Sequence, residues 1–209
     1  MKILAVGDIH TKIWIIDKVR EIADNYDAII FLGDYADDWG KEPIDSINVW
    51  KELRSFSHSN PKVKLVIGNH DYIYVNKTPS SQSGYSMGTQ FLLDLPDNKG
   101  LKQWLKALPT IIIRDGVHFS HAGITTTWDG ADIVYSLWAE DSPIWARPYD
   151  STYKKQPQVF GHTPSKTCWE VEPNVWCIDT FSTQPNGTPV GDGTVLEIID
   201  GKQFNIQKL

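Results

Sequence analysis

Cysteine is scarce in this chain of 209 residues, which carries only Cys168 and Cys177. Two isolated thiols form neither a disulfide framework nor a zinc knuckle, and the plain expectation is a pair of reduced, partly buried side chains. Long apolar runs are absent too, and no stretch approaches the roughly 18 uncharged residues of a membrane span. The opening MKILAVGDIH meets Asp8 too soon to be a secretory signal. A cytoplasmic protein without a membrane partner is expected. Arginine is limited to Arg20, Arg54, Arg114 and Arg147, and the formal net charge is -6. That argues against an extended nucleic-acid face, which needs clustered Lys and Arg. It leaves phosphate-bearing ligands open, because bound metals can supply local positive charge. Any bidentate clamp on a phosphate must come from those four arginines.

The remaining composition is that of a globular protein, with 41% hydrophobic and 22% charged residues. Disordered and fibrous classes are excluded. The length suits one domain over 1–209, with a core large enough to need no staples. Nine tryptophans are many for this length, and most are expected to pack the core or its rim.

Read along the chain, short apolar runs at 2–6, 28–32 and 63–67 each end in glycine and fit buried strands. Between them, residues 12–25 and 44–56 carry apolar residues at helical spacing. Strand, helix, strand, helix, strand implies a parallel sheet with right-handed crossovers. Residues 76–90, rich in Ser, Gly and Thr, read as a loop near the site, and 101–108 as a short helix. Strands at 110–114 and 117–120 join at Asp115-Gly116, a strong hairpin signal. A strand follows at 158–160, then hairpins over 166–178 and 194–207. The expected fold class is α/β, two packed sheets with helices outside.

Polar side chains stand just past the ends of these strands. They are Asp8 and His10, then Asp34 and Asp37, then Asn69, His70 and Asp71; His121 and His162 end two later strands. In open α/β sheets, ligands bind at the carboxyl ends of strands. The donor set is two or three carboxylates, one Asn carbonyl and up to four imidazoles, without a thiolate. Mixed oxygen and nitrogen donors suit Mn, Fe, Zn or Co. The capacity exceeds what one ion needs, so a dinuclear site bridged by a carboxylate is the economical reading. Each residue alone has a plainer explanation as a turn, a cap or a core histidine. Five strand ends doing the same thing, in sequence blocks long enough for βα units of roughly 30 residues or more, is no accident.

GDIH (7–10), GDYADD (33–38), GNHD (68–71), SHAG (120–123) and GHTP (161–164) resemble, in order, the five signature blocks of the calcineurin-like metallophosphoesterases. GDYADD, SHAGI and the tail CIDTF (177–181) are most similar to the small bacterial and phage serine/threonine phosphatase branch. The resemblance implies a four-layer α/β/β/α sandwich of two mixed sheets flanked by helices. It implies two divalent metal ions, Mn²⁺ first, with Fe, Zn, Ni or Co as alternatives. Asp8 and His10 would bind one metal, Asp34 would bridge, and Asn69, His121 and His162 would bind the second. His70 would be the general acid that protonates the leaving oxygen, oriented by Asp37. The attacking group would be a hydroxide bridging two metals about 3.5–4 Å apart, which can bring the pKa of bound water from 15.7 towards 7.

The chain departs from the phosphatase pattern at Asp38, where that pattern has arginine, and at Trp39, Thr11 and Asp71. Arg147, in WARP (145–148), is the best substitute phosphate ligand, alongside Asn69. Asp38 would disfavour a doubly charged phosphate and tilt the substrate towards diesters. Three functions compete. The first is a phosphomonoesterase acting on a phosphorylated small molecule, nucleotide or phosphoprotein. The second is a phosphodiesterase or dinucleoside-polyphosphate hydrolase working on nucleotides or nucleic-acid ends. The third is a non-catalytic metal-binding scaffold, which should have lost ligands that this chain keeps. Specificity would come from loops at 39–43, 76–100 and 125–156. Their aromatics, Trp39, Tyr85, Trp128, Trp138 and Trp145, are expected to pack rather than to stack on a base.

Overall fold

The structure is a computed structural model and describes residues 1–76, 84–128, 136–149 and 152–209. It is the expected α/β sandwich of two mixed five-stranded sheets flanked by helices. The first sheet holds β1 (Lys2–Val6), β2 (Ala28–Phe31), β3 (Val63–Leu65), β9 (Thr194–Ile199) and β10 (Gln203–Lys208), in the order β10-β9-β1-β2-β3. β1, β2 and β3 run parallel, joined through α1 (Ile13–Ile22) and α2 (Pro43–Ser59). The second sheet holds β4 (Ile111–Arg114), β5 (Val117–Ser120), β6 (Gln158–Phe160), β7 (Trp169–Glu172) and β8 (Val175–Cys177), in the order β4-β5-β6-β8-β7.

Alternation along each strand builds two cores at once. Ile3, Ala5, Ala28 and Ile30 turn inward, with Leu196 and Ile198, to meet Val117, Phe119 and Val159 of the other sheet. Leu4, Val6, Ile29 and Phe31 turn the other way, onto Ile15, Ile16 and Val19 of α1 and onto Ile47, Trp50 and Leu53 of α2. Burying each such side chain stabilises the fold by roughly 1.5–3 kcal/mol. On the outer face of the second sheet, Phe160, Val175 and Cys177 pack with Tyr153.

Three local features differ from the sequence reading. α2 starts at Pro43, because Glu42 and Asp45 exchange hydrogen bonds in a capping box with proline at the first position. Strand β3 stops at Leu65, since the Ile67 N–H leaves the ladder for Pro109 O at 2.9 Å. The expected loop over 76–90 holds the end of α3 (Asn69–Asn76) and the start of α4 (Met87–Asp94). Ser86 caps α4 by accepting from Thr89 N. The fifth helix, α5 (Lys99–Lys106), lies close to its expected place. The expected specificity loops at 76–100 and 125–156 pass in part through 77–83, 129–135 and 150–151, which lie outside the described residues.

The turns follow their residues. Asp115-Gly116 and Asp200-Gly201 both take positive φ at each central position, the conformation two-residue hairpins prefer. Cys168 and Cys177 are free and buried, and burial pushes the Cys168 thiol up to about 12.

Candidate active site

Six parallel strands end at one place, three from each sheet. β1 delivers Asp8 and His10, β2 delivers Asp34 and Asp37, and β3 leads into Asn69 and His70 at the start of α3. From the second sheet, β5 delivers His121, β6 delivers His162 and β8 delivers Asp179. Five non-glycine residues here hold a positive φ: His10, Thr11, Asp34, Asp37 and His162. Such backbone persists only where its surroundings over-determine it. The His10 N–H donates to Asp34 O at 3.0 Å and the Thr11 N–H to Tyr35 O at 2.7 Å. Beneath them the Asp71 carboxylate accepts from the N–H groups of Tyr35, Ala36 and Gly68 at 3.2 Å and from Trp50 Nε1 at 2.8 Å. Asp71 therefore fastens the β2 and β3 loops and faces away from the cleft. Close backbone approach does the rest. A Cβ on Gly161 would stand 1.9 Å from Asp8 Oδ2, and one on Gly68 would stand 2.1 Å from Asp34 N.

The donor atoms fall into two clusters that share one residue. Asp8, His10 and Asp34 form the first, and Asp34, His121 and His162 the second; ligand atoms within each lie within 4.8 Å of one another. The imidazoles are oriented from behind. His10 Nδ1 lies 2.7 Å from Asp37 O and 3.1 Å from Ala36 O, both acceptors, so Nδ1 carries a proton and Nε2 is left for a ligand. His121 Nδ1 lies 2.9 Å from Leu32 O in the same way. Its Nε2 faces Asn69 Oδ1 at 2.7 Å, His162 Nδ1 at 3.0 Å and Asp34 Oδ2 at 3.3 Å. A proton on Nε2 satisfies one of these groups, whereas a cation satisfies them all. Asp8 Oδ2 and His162 Nε2 are buried and meet no hydrogen-bond partner among the described residues. Burial, with His121 and Arg147 close by, holds His162 well below the usual histidine range. A buried acceptor without a donor, such as Asp8 Oδ2, fits a divalent cation, and Asp34 is placed to touch two.

His70 stands beside this pair of clusters. Its Nδ1 lies 3.1 Å from Asp37 Oδ2, and the Tyr74 hydroxyl donates to Asp37 Oδ1 at 2.6 Å. The His70 N–H donates to Asp34 Oδ1 at 2.9 Å. Burial works against a charged imidazole, but the carboxylates of Asp34 and Asp37 outweigh it and raise His70 to about 9. Burial likewise opposes ionisation of Asp34, yet the imidazoles of His121 and His70 hold its carboxyl well below the usual range.

The cleft over these groups measures about 250 Å³. Asp38 lies on its wall, but its charge is not free. Lys12 Nζ donates to Asp38 Oδ2 at 2.6 Å, and Thr183 Oγ1 and the Trp39 N–H donate to Oδ1. The expected repulsion of a dianion by Asp38 is therefore largely cancelled by Lys12. Arg147 also lines the cleft, with Nη1 donating to His162 O at 2.8 Å and to Thr163 Oγ1 at 3.3 Å. Arg20 is paired with Asp17 and Glu52 on the helical face, and Arg114 ends β4. Trp145 packs edge-on against the His162 ring at 5.8 Å. Tyr85, Trp128, Trp138 and Trp145 pack against the core as expected, whereas Trp39 is 49% exposed at the cleft.

The family model for the calcineurin-like phosphoesterase domain matches residues 1–189. The chain belongs to the calcineurin-like phosphoesterases. Among curated proteins it is similar to a symmetrical bis(5'-nucleosyl)-tetraphosphatase of Vibrio cholerae, 25% identical over 151 residues, covering 70% of this chain and 54% of that protein. The chain thus spans about half the length of the curated relative it matches. Its backbone follows that of a cold-active protein-tyrosine phosphatase of a psychrophilic Shewanella, with a TM-score of 0.67, 18% identity and coverage of 98% and 80% of the two chains. It also follows a serine/threonine phosphatase of Saccharomyces cerevisiae, with a TM-score of 0.61, 14% identity and coverage of 100% and 80%. At these identities the structural likeness speaks for the fold.

Within this calcineurin-like site, the structure brings together Asp8, His10, Asp34, Asn69, His121 and His162, with His70, Asp37 and Arg147 on the rim. His58 and His118 lie elsewhere; His58 bonds Arg54 O on the α2 surface. Sequence reasoning gave no role to Lys12, Tyr74 or Asp179. The signal for Asp179 was available, because it stands two residues past a strand, as Asp8 and His162 do. The expected hairpin over 166–178 is present as β7 and β8, but the parallel pairing of β8 to β6, which makes its end equivalent to the others, has no local signal in the sequence.

Proposed function

We propose that this protein hydrolyses phosphomonoesters at a dinuclear metal centre. In this reading Asp8, His10 and Asp34 hold one divalent cation, and Asp34, Asn69, His121 and His162 hold the other. Mn²⁺ suits the mixed donors, with Fe, Zn, Ni or Co as alternatives. Such a metal pair supplies positive charge for the phosphoryl oxygens and an activated water. The protein's own residues do the rest. His70, kept protonated by Asp34 and Asp37, donates its proton to the leaving oxygen. Asp37 fixes the ring from behind and is itself held by Tyr74. Arg147, anchored through Nη1 to the β6 loop, turns its guanidinium to a phosphoryl oxygen, with the Asn69 amide as a second donor. The observation that carries the reading is Asp34, shared by two donor clusters and flanked by His70, whose Nε2 lies 4.0 Å from Asp34 Oδ2. The substrate is a phosphorylated small molecule, nucleotide or phosphoprotein, met in the cytoplasm.

A second reading, hydrolysis of diesters or dinucleoside polyphosphates, draws on Trp39. An exposed indole beside the cleft offers a stacking surface for a base, and the curated relatives are named for nucleosyl tetraphosphates. The test compares p-nitrophenyl phosphate, bis-p-nitrophenyl phosphate and a bis(5'-nucleosyl) tetraphosphate with added Mn²⁺. The monoesterase reading predicts the first as best substrate, with Arg147→Ala lowering kcat/KM about 10–100-fold, as expected for loss of a charged hydrogen bond. Preference for either of the others, weakened by Trp39→Ala, would replace it with the second reading.

A further inference from the structure

Asp179 follows β8, the sixth parallel strand to end in a polar residue at this place. It is 1% exposed and lines the same cleft as His10 and Asp34. Ser182 hydrogen-bonds its carboxylate, yet Oδ1 is buried without a partner among the described residues. Its surroundings make this costly. Asp8 and Asp34 are both close enough to repel it, and His10 is its main attractive neighbour. Lys12 also feels Asp179, but its ammonium is committed to Asp38 and to His10 O. Close backbone approach sets Asp179 beside the turn that carries Asp8, for a Cβ on Gly7 would stand 2.2 Å from Ile178 O and 3.4 Å from Asp179 Cα. A buried carboxylate with an empty oxygen, set against two more carboxylates, calls for a cation. Asp179 is not part of the tight cluster formed by Asp8, His10 and Asp34. Its place is therefore outside that ring of donors, where a carboxylate tunes affinity without closing the coordination shell.

We infer that Asp179 is an outer carboxylate of the Asp8–His10 half of the centre, strengthening the hold of that half on a divalent cation and making the two halves unequal in charge. This rests on the dinuclear reading above. Three carboxylates and one imidazole then serve the first half, against one shared carboxylate, one amide and two imidazoles in the second. The first half becomes the oxygen-rich, tighter position for a hard ion such as Mn²⁺.

The experiment titrates the metal-free full chain with Mn²⁺ alone, following free Mn²⁺ by electron paramagnetic resonance, for the parent and for Asp179→Asn. The parent should bind two ions. In Asp179→Asn one of the two affinities should fall about 10–100-fold, as losses of outer-shell partners do, while the other stays unchanged. The melting temperature of the metal-free proteins separates this from a role in the fold. Asparagine keeps the shape, removes repulsion and can donate to the facing carboxylates, so metal-free Asp179→Asn should melt at the parent's temperature or above it. Two unchanged affinities would overturn the inference, as would a fall in metal-free melting temperature alongside the loss of affinity. A parent that binds no Mn²⁺ would instead sink the dinuclear reading on which the inference stands.

Discussion

His70 shows how neighbours set the state of one side chain. Burial favours a neutral ring, but two carboxylates within about 4 Å leave it charged at neutral pH, at about 9. A raised histidine pKa means that the proton is present below that value and lost as pH rises through it. As general acid, His70 predicts an alkaline limb in the kcat profile at or below about pH 9, since metal charge near Asp34 can only lower it. Asp37→Asn removes an attractive charge, so the limb should move towards acid by about one unit. A limb that stays in place in Asp37→Asn would remove Asp37 from its orienting role. His70→Ala should lower kcat about 10²–10⁴-fold, the usual contribution of a positioned acid. These residues were legible in the sequence because each stands in the segment that follows a parallel strand. The reading of Asp38 was not, because its charge is answered by Lys12, 26 positions away in the chain.

Among the elements, the loops after β2 and β3 depend on a carboxylate outside the cleft. Asp71 collects three backbone N–H groups and the Trp50 indole, joining the β2 loop, the β3 loop and α2. Asp71→Ala leaves several buried donors unanswered and should destabilise the fold by about 3 kcal/mol. For a chain of this size that lowers the melting temperature by about 6–12 °C, which thermal denaturation followed by circular dichroism would read. A variant melting within 2 °C of the parent, by the same conversion, would make Asp71 incidental. Strands and long helices were legible, because glycine endings and apolar spacing are local signals. α3 was not, since Asp71, Tyr72, Ile73, Tyr74 and Val75 are all buried and leave no polar face to mark a period. α4 was not, because two of its large apolar residues, Met87 and Phe91, point to solvent.

For the whole molecule, the fold brings buried Asp8, Asp34 and Asp179 to one end of the sandwich, together with Asn69 and three histidines. That is a costly arrangement for a chain already at -6. Cations that bind only the folded state relieve it, and a ligand at 100 times its Kd adds about 2.7 kcal/mol. Saturating Mn²⁺ should therefore raise the melting temperature of the metal-free protein by about 5–10 °C per tightly held ion. Asp34→Asn, which strips a donor from both clusters, should lose most of that rise. The sequence pointed to two metals because six donor residues fall at five strand ends. It could not weigh one half against the other, which depends on how β8 pairs.

The most direct test of the account is one assay. Hydrolysis of p-nitrophenyl phosphate is followed after chelation and again after Mn²⁺ is restored, with Asp34→Asn beside the parent. The account predicts that chelation silences the parent, that Mn²⁺ restores it, and that Asp34→Asn stays at least about 10²-fold slower, since losing a donor shared by both ions costs no less than losing an outer-shell partner. Turnover by the parent that ignores the chelator, or equal turnover by Asp34→Asn, would contradict it.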